Sequence, residues 1–294
     1  MTARFRAKRR AGDALVGVQA GNYRWWDEHP MTYDWRGQSA ARPLSREWFD
    51  DQDRLSVEAH GHFATERIPF DRLLPYDRLA GKEVLEIGVG SGFHAELLAR
   101  AGASVTGIDL TGSAIERTKA RFELKGLAGS FEQWDAERPR DDFRRRFSLV
   151  WSWGVVHHSS RTARIVRNVG DWVTDDGGFA GMVYHRNSTS AFAAVFRDWV
   201  LRGNVLSHSV DEALWAGADG YSARFYPADQ WRDLLLAFFA TAAVSVTGNA
   251  ADAVPLPRRI RGHVFRRLPP GTRDRVLARF GSMLVFDARR PLRD

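Results

Sequence analysis

The chain predicts an α/β fold, doubly wound around a mostly parallel seven-stranded sheet with an antiparallel last strand. Three observations carry that prediction. From Gly81 onward, short apolar runs rich in strand formers alternate with helix-length segments, the rhythm of a parallel sheet covered on both faces. The first run, Val84 to Ile87, breaks into glycines at alternate positions, Gly88, Gly90 and Gly92, just before a helix. Strand, glycine turn and helix form the unit in which a backbone comes close to a nucleotide. A last apolar run, Ser282 to Ala288, follows the final helix and most simply pairs antiparallel at a sheet edge.

Each element has its own signals. Residues 1–80 read as an aromatic and helical segment that either wraps the outside of the core or forms a lid over the ligand. Tyr23 and Trp26 are candidates to face the pocket, with Tyr33 and Trp35 following, and Ser45 caps a helix from Arg46. The core, 81–185, runs strand 84–87, helix 93–101 stopped by Gly102, and strand 104–110. It continues with helix 114–125 stopped by Gly126, strand 130–135, strand 147–153, helix 161–173, a turn at 175–178 and strand 179–184. After it the rhythm changes. Residues 186–226 read as a helical, substrate-side insert, with a helix over 191–201 and irregular chain beyond. Residues 227–294 return to the sheet, with a helix from Pro227, a strand at 243–248, a proline- and arginine-rich stretch, a helix at 273–280 and the last strand.

Composition narrows the function. The 294 residues contain no cysteine, which excludes disulfides, thiolate metal sites and cysteine nucleophiles and fits a cytoplasmic protein. No spacing compels a metal site, and no apolar run reaches the ~20 residues of a membrane span. Arg9-Arg10 suggests an export signal, but no long apolar stretch follows, so the N-terminus reads as a solvated arm. The net charge of +7 raises nucleic acid as a partner. Clusters at 4–10, 138–146, 258–267 and 289–293 are each interrupted, which argues against that partner.

The glycine turn narrows the ligand. A dinucleotide fingerprint spaces its glycines G-x-G-x-x-G; here Gly92 falls one residue early. Glu86 precedes the turn, where a carboxylate would repel a pyrophosphate and attract an ammonium or sulfonium. Asp109 ends the second strand, suited to ribose hydroxyls, and Asp135 ends the third, suited to an adenine amino group. The ligand expected is an adenosine with a cationic amino-acid tail.

At these residues the sequence resembles a known family. Val84-Leu-Glu-Ile-Gly-Val-Gly-Ser-Gly92, Gly107-Ile-Asp-Leu110, Trp134-Asp-Ala-Glu137 and Leu149-Val-Trp-Ser-Trp-Gly-Val-Val-His-His-Ser159 are similar to the successive motifs of class I S-adenosylmethionine-dependent methyltransferases. The resemblance covers residues 80–185 closely. It implies S-adenosyl-L-methionine as cofactor. Gly88, Gly90 and Gly92 would admit the methionine part, with Glu86 near its ammonium through water or neighbouring backbone. Asp109 would take the ribose, Leu110 flank the adenine, and Asp135 and the Ala136 amide read its edge. Ser152 or Trp153 would offer a carbonyl to the ammonium. Trp151 departs from the family pattern, which favours smaller residues.

Methyl transfer depends on placing a nucleophile against the methyl in a dry site. His157 and His158, after the fourth strand, are the candidate bases, and His185 is another. His29, His60 and His62 could line a lid. The Asp/Asn-Pro-Pro turn of nucleobase amino-methylating enzymes is absent, since Ser152-Trp-Gly-Val155 stands there. Trp199, Trp215, Tyr221, Phe225 and Tyr226 could wall an acceptor or pack the insert. The expected acceptor is a small molecule, secondary-metabolite or quinone-like, methylated on O ahead of N or C. An RNA methyltransferase, and a non-methylating protein that keeps the fold, stay open as alternatives. The oligomeric state is not legible.

Overall fold

The computed structural model describes residues 15–34, 37, 39–64, 68–254, 256 and 258–293. The basic N-terminal arm, Trp35 and the side chain of His62 lie outside the described residues. Seven strands form one sheet: β1 (Glu83–Ile87), β2 (Ser104–Asp109), β3 (Ser130–Gln133), β4 (Phe147–Trp153), β5 (Val173–Tyr184), β6 (Phe239–Thr247) and β7 (Met283–Pro291). Their order is β3-β2-β1-β4-β5-β7-β6. Neighbours among β1 to β5 pair parallel, and β7 runs antiparallel to both its neighbours. The last strand is therefore antiparallel, as its place in the sequence suggests, but it is not at an edge. It lies between β5 and β6, because Leu284, Phe286 and Ala288 are buried core residues and an interior position covers them.

The helices are α1 (Leu15–Glu28), α2 (Arg46–His60), α3 (Phe93–Arg100), α4 (Gly112–Lys125), α5 (Thr162–Trp172) and α6 (Thr189–Phe196). After them come α7 (Val210–Gly217), α8 (Ala228–Leu236), α9 (Ala250–Ala253), α10 (Arg258–Arg267) and α11 (Pro270–Phe280). A π-helical turn, Arg197–Leu201, prolongs α6. Ser45 caps α2 as expected, its hydroxyl accepting from the Trp48 amide. The cap of α4 is Thr111, and Ser113 falls inside the helix. Residues 175–178, read as a turn, lie within β5 instead, where the ladder bulges: Phe147 pairs with Val173, but Leu149 pairs with Gly178.

Strand alternation divides the apolar residues between the two faces. Leu85, Ile87 and Val150 pack with α5 and α8 residues such as Ile165, Val169 and Trp231. Val84, Leu149, Trp151 and Trp153 pack on the other face with Ala95, Leu98, Ile115 and Phe122, beneath Phe70 and Leu74. Trp151 is fully buried, stacked on Trp153 with centroids 5.5 Å apart and tilted on His94 at 5.6 Å. Its size is thus explained by an aromatic cluster under the cavity floor.

One charged group crosses this apolar layer. Arg121 of α4 is fully buried. Its Nε donates to the Ser91 carbonyl at 2.7 Å, and its Nη atoms donate to both Asp53 oxygens at 3.1 and 2.7 Å and to Glu96 Oε2 at 2.7 Å. Its guanidinium lies over Phe49, 4.7 Å from the ring centroid. Removing one member of such a cluster leaves buried charge uncompensated. Arg121→Met is expected to lower unfolding stability by about 3–5 kcal/mol, read as a fall in the urea midpoint at unchanged slope.

Candidate functional site

The sheet order reverses between β1 and β4, where their carboxyl ends leave a crevice. A cavity of about 860 Å³ fills it, near the top of the ~300–1,000 Å³ range of small-molecule sites. Gly88, with φ of +83°, turns the chain at the end of β1, and its amide donates to the Ile108 carbonyl at 2.7 Å. A Cβ there would meet Val155 Cγ2 at 2.3 Å. At Gly90, also at positive φ, a Cβ would meet nothing within 4 Å, so the backbone borders open cavity.

Asp109 accepts from the Gly90 amide at 3.2 Å, the Thr111 amide at 2.9 Å and the Thr111 hydroxyl at 3.0 Å. It thereby ties the glycine loop to β2. Burial pushes its carboxyl up, and the hydrogen bonds from Thr111 and Gly90 oppose that. Leu110, Asp135 and Ala136 line the cavity as well. Asp135 Oδ1 accepts from Gln19 of α1 at 3.0 Å and from the Glu137 amide at 2.9 Å.

Deeper in, Glu86 is buried and accepts from the Ala95 amide of α3, while its Oε2 has no protein partner. Burial, then the nearby Asp109, pushes its carboxyl well up. Three further side chains on this wall were not singled out from sequence. Gln52 and Ser56 of α2 and His94 of α3 are buried, and Gln52 Oε1, Ser56 Oγ and His94 Nδ1 have no protein partner. Burial, with His60 and Arg121 adding repulsion, pushes His94 down to about 3, so its ring is neutral at pH 7. Four such atoms on one cavity wall are costly unless a ligand satisfies them. A carboxylate facing donors from Ser56 and His94 complements the zwitterionic end of an α-amino acid. Gln52 and Ser56 are four apart on one helix, and that spacing is the signal by which they could have been paired.

Several sequence expectations need correction. Ser152 is fully buried in mid-sheet opposite Gly181, its hydroxyl donating to the Ile87 carbonyl at 3.1 Å. It is not at the cavity wall, whereas Trp153 is. Tyr23 is 37% exposed, on the outer side of α1, and Trp26, three residues on, faces the cavity. His157 is fully enclosed between His158 and Tyr184, and neither ring nitrogen has a protein partner. Burial, then His158, holds it well below the usual range, and it does not border the cavity. His158 does, and its Nδ1 donates to the Ser222 carbonyl at 2.6 Å. That bond leaves Nε2 as the basic nitrogen of the neutral ring.

His185 instead donates to the Gly281 carbonyl at 2.8 Å, away from the cavity. His60 has both nitrogens engaged, Nδ1 with the Ser56 carbonyl and Nε2 with the Trp153 indole. His29 stacks on Trp25 at the surface. Trp199, Trp215, Tyr221, Phe225 and Tyr226 are not among the residues lining the cavity; Phe225 packs on Tyr184 and Tyr226 on Trp231. The cavity is lined as well by Tyr33, Met182, Tyr184, Phe265, Leu277 and Met283, with Asp219 and Arg261.

α1 lies against this site, with Gln19, Asn22 and Trp26 among its lining residues. Asn22 of α1 donates to the His158 carbonyl at 2.5 Å, and the Ser222 hydroxyl donates to Asn22 Oδ1 at 3.1 Å. Gly21 lets α1 lie on the Tyr221 ring, where a Cβ would come within 2.3 Å.

The site is the switch-point cavity of a doubly wound α/β sheet. Residues 84–177 match the family described as Methyltransferase domain. The ubiquinone biosynthesis O-methyltransferase of Pseudomonas aeruginosa is 25% identical over 189 residues, 64% of this chain and 70% of that protein. Its namesake in Methylocella silvestris is 34% identical over 141 residues, 48% of this chain and 54% of that protein. Among solved structures, Haemonchus contortus phosphoethanolamine N-methyltransferase 2 has a TM-score of 0.52 at 15% identity, covering 86% of this chain and 61% of that one; the likeness is one of fold. Residues 84–177 therefore carry a methyltransferase domain, which makes the chain a methyltransferase, similar to the class I S-adenosylmethionine-dependent enzymes.

The raised carboxyl of Glu86 gives a signed prediction. Free protein keeps the Glu86 proton above its ordinary value of 4.5, so its burial costs stability progressively as pH rises through the raised value. An ammonium ligand favours the ionised form. S-adenosylhomocysteine affinity should therefore climb with pH over that window, with proton release visible by calorimetry in buffers of different ionisation enthalpy. Glu86→Gln should flatten the dependence, raise the melting temperature of the free protein, and spare binding of 5′-methylthioadenosine, which lacks the amino acid.

Proposed function

We propose that the enzyme methylates a hydroxyl oxygen on an apolar, ring-bearing small molecule of secondary-metabolite or quinol type. The observation that carries this reading is His158: its Nδ1 is pinned by the Ser222 carbonyl, and the ring borders the cavity. A hydroxyl acceptor begins protonated, so it needs a base where an amine free base does not. The names of the two ubiquinone biosynthesis relatives support an oxygen acceptor. The apolar lining residues Met182, Tyr184, Phe265, Leu277 and Met283 suit an apolar ring.

In this reading Asp109 takes the ribose hydroxyls, having lone pairs beyond its three protein bonds. Leu110 flanks the adenine, and Asp135 and Ala136 meet its edge. Glu86 and the Trp153 backbone hold the ammonium. Ser56, His94 and Gln52 hold the carboxylate. Gly88, Gly90 and Gly92 keep the loop thin beneath it. The bound cofactor supplies an electrophilic methyl on a sulfonium that leaves readily. His158 accepts the proton of the acceptor hydroxyl on Nε2, while Trp26, at the cavity wall on α1, and Tyr184 exclude water.

Incubation with methyl-labelled cofactor and a panel of catechols, quinols, amines and RNA tests the reading. Label is expected in an O-methyl product. Label only in amines, carbon or RNA, or cofactor bound with no transfer, would refute it. His158→Gln is expected to cut kcat about 10²–10⁴-fold while the melting shift with S-adenosylhomocysteine persists. Loss of both together would make His158 merely structural.

A further inference from the structure

The net charge of the chain is concentrated in one place. Residues 256–280, which include α10 and α11, contain eight arginines against the single acid Asp274. That is a formal +7, equal to the net charge of the whole chain, so the remainder is neutral. Arginine keeps its charge at any physiological pH. The same segment exposes apolar side chains: Leu256, Ile260 and Val264, spaced four apart, and Phe280 on α11.

A second exposed apolar row lies nearby. Phe192, Phe196 and Val200 follow one another at intervals of four along α6 and its π-helical turn, and Leu201, Val205 and Leu206 extend the row. Leu206 is 98% exposed and Leu201 71%. The two features are fixed to each other. Asp252 of α9 is buried and accepts from the Ser190 hydroxyl of α6 at 2.5 Å and from the Ser282 hydroxyl, just after α11, at 2.8 Å. α9 also packs against α10 and α11.

We propose that the α10–α11 pair and the α6 row together dock on an anionic lipid bilayer. Clustered arginines meet the lipid phosphates, and the exposed aromatic and aliphatic side chains enter the headgroup boundary. Such combinations of basic and apolar side chains suit an interface that is charged on one side and oily on the other. Nucleic acid matches the arginines but leaves the apolar row in water. A two-fold contact with a second copy would cover the apolar row but set the arginines of one copy against those of the other. Arg261, Phe265 and Leu277 of the same helices wall the cavity, so the docking face adjoins the site. Docking does not depend on which acceptor is methylated.

Sedimentation of the full chain with vesicles tests this. Protein is expected to pellet with equimolar phosphatidylglycerol–phosphatidylcholine vesicles and to stay in solution with phosphatidylcholine alone. Phe196→Ser/Leu206→Ser and Arg266→Gln/Arg267→Gln should each weaken binding about tenfold or more, with an unchanged melting shift on S-adenosylhomocysteine showing an intact fold. Failure of the unaltered chain to pellet with anionic vesicles would overturn the proposal. So would RNA binding that needs the arginines and ignores the Phe196/Leu206 pair, or a dimer in light scattering that this pair dissolves.

Discussion

A guanidinium shut away from water must have its donors satisfied, and the cofactor side of this molecule is arranged around that demand. Arg121 spends its donors on the Ser91 carbonyl, Asp53 and Glu96. Those acceptors belong to the glycine loop, α2 and α3 respectively. Lys125, one turn further along α4, reinforces the same carboxylates. The neighbours of Asp53 on α2 are Gln52 and, one turn on, Ser56, whose unpartnered atoms border the cavity. One buried charge thus sets the distance between the loop and the helix that together form the polar wall.

α1 obeys a different constraint. It is only weakly amphipathic, its aromatic and polar side chains spread around the helix, and specific polar contacts hold it. Gln19 reaches Asp135, and Asn22 reaches the His158 carbonyl and the Ser222 hydroxyl. These bonds join the N-terminal segment, the turn after β4 and the end of the insert, which are far apart in sequence. The candidate base and α1 therefore share one hydrogen-bond cluster.

Most of the sheet was legible because its signals are local. The runs at β1, β2 and β4, the glycines between β1 and α3, and Gly126 as a stop each act within a few residues. What escaped depends on tertiary context or on patterns obscured by composition. α1 is masked by its aromatic, weakly amphipathic sequence. α7 did carry a readable signal, the Ser209–Glu212 capping box. α10 is obscured by its arginines, although Ile260 and Val264 keep helical spacing. Within the site, Asp109 and Glu86 were placed by motif position. Two adjacent histidines look alike in sequence, and only the fold buries His157 and brings His158 to the cavity. The inward face of α2 was illegible for the same reason: Gln52 and Ser56 look like solvent residues until Arg121 fixes the helix.

The interior position of β7 has a consequence for how the chain assembles. β5 pairs on one side with β4 and on the other only with β7, and β6 pairs only with β7. During folding, both β5 and β6 present bare edges until a strand encoded after α6 to α11 arrives. That pairing is non-local, and such pairing is slow because long loops must close before any ladder bond is gained. The interval leaves β5, with its apolar Phe179, Met182 and Val183, as an open template for other chains. Yield in refolding should then be governed less by the stability of the finished sheet than by the time its ninth-hour strand takes to fill the gap.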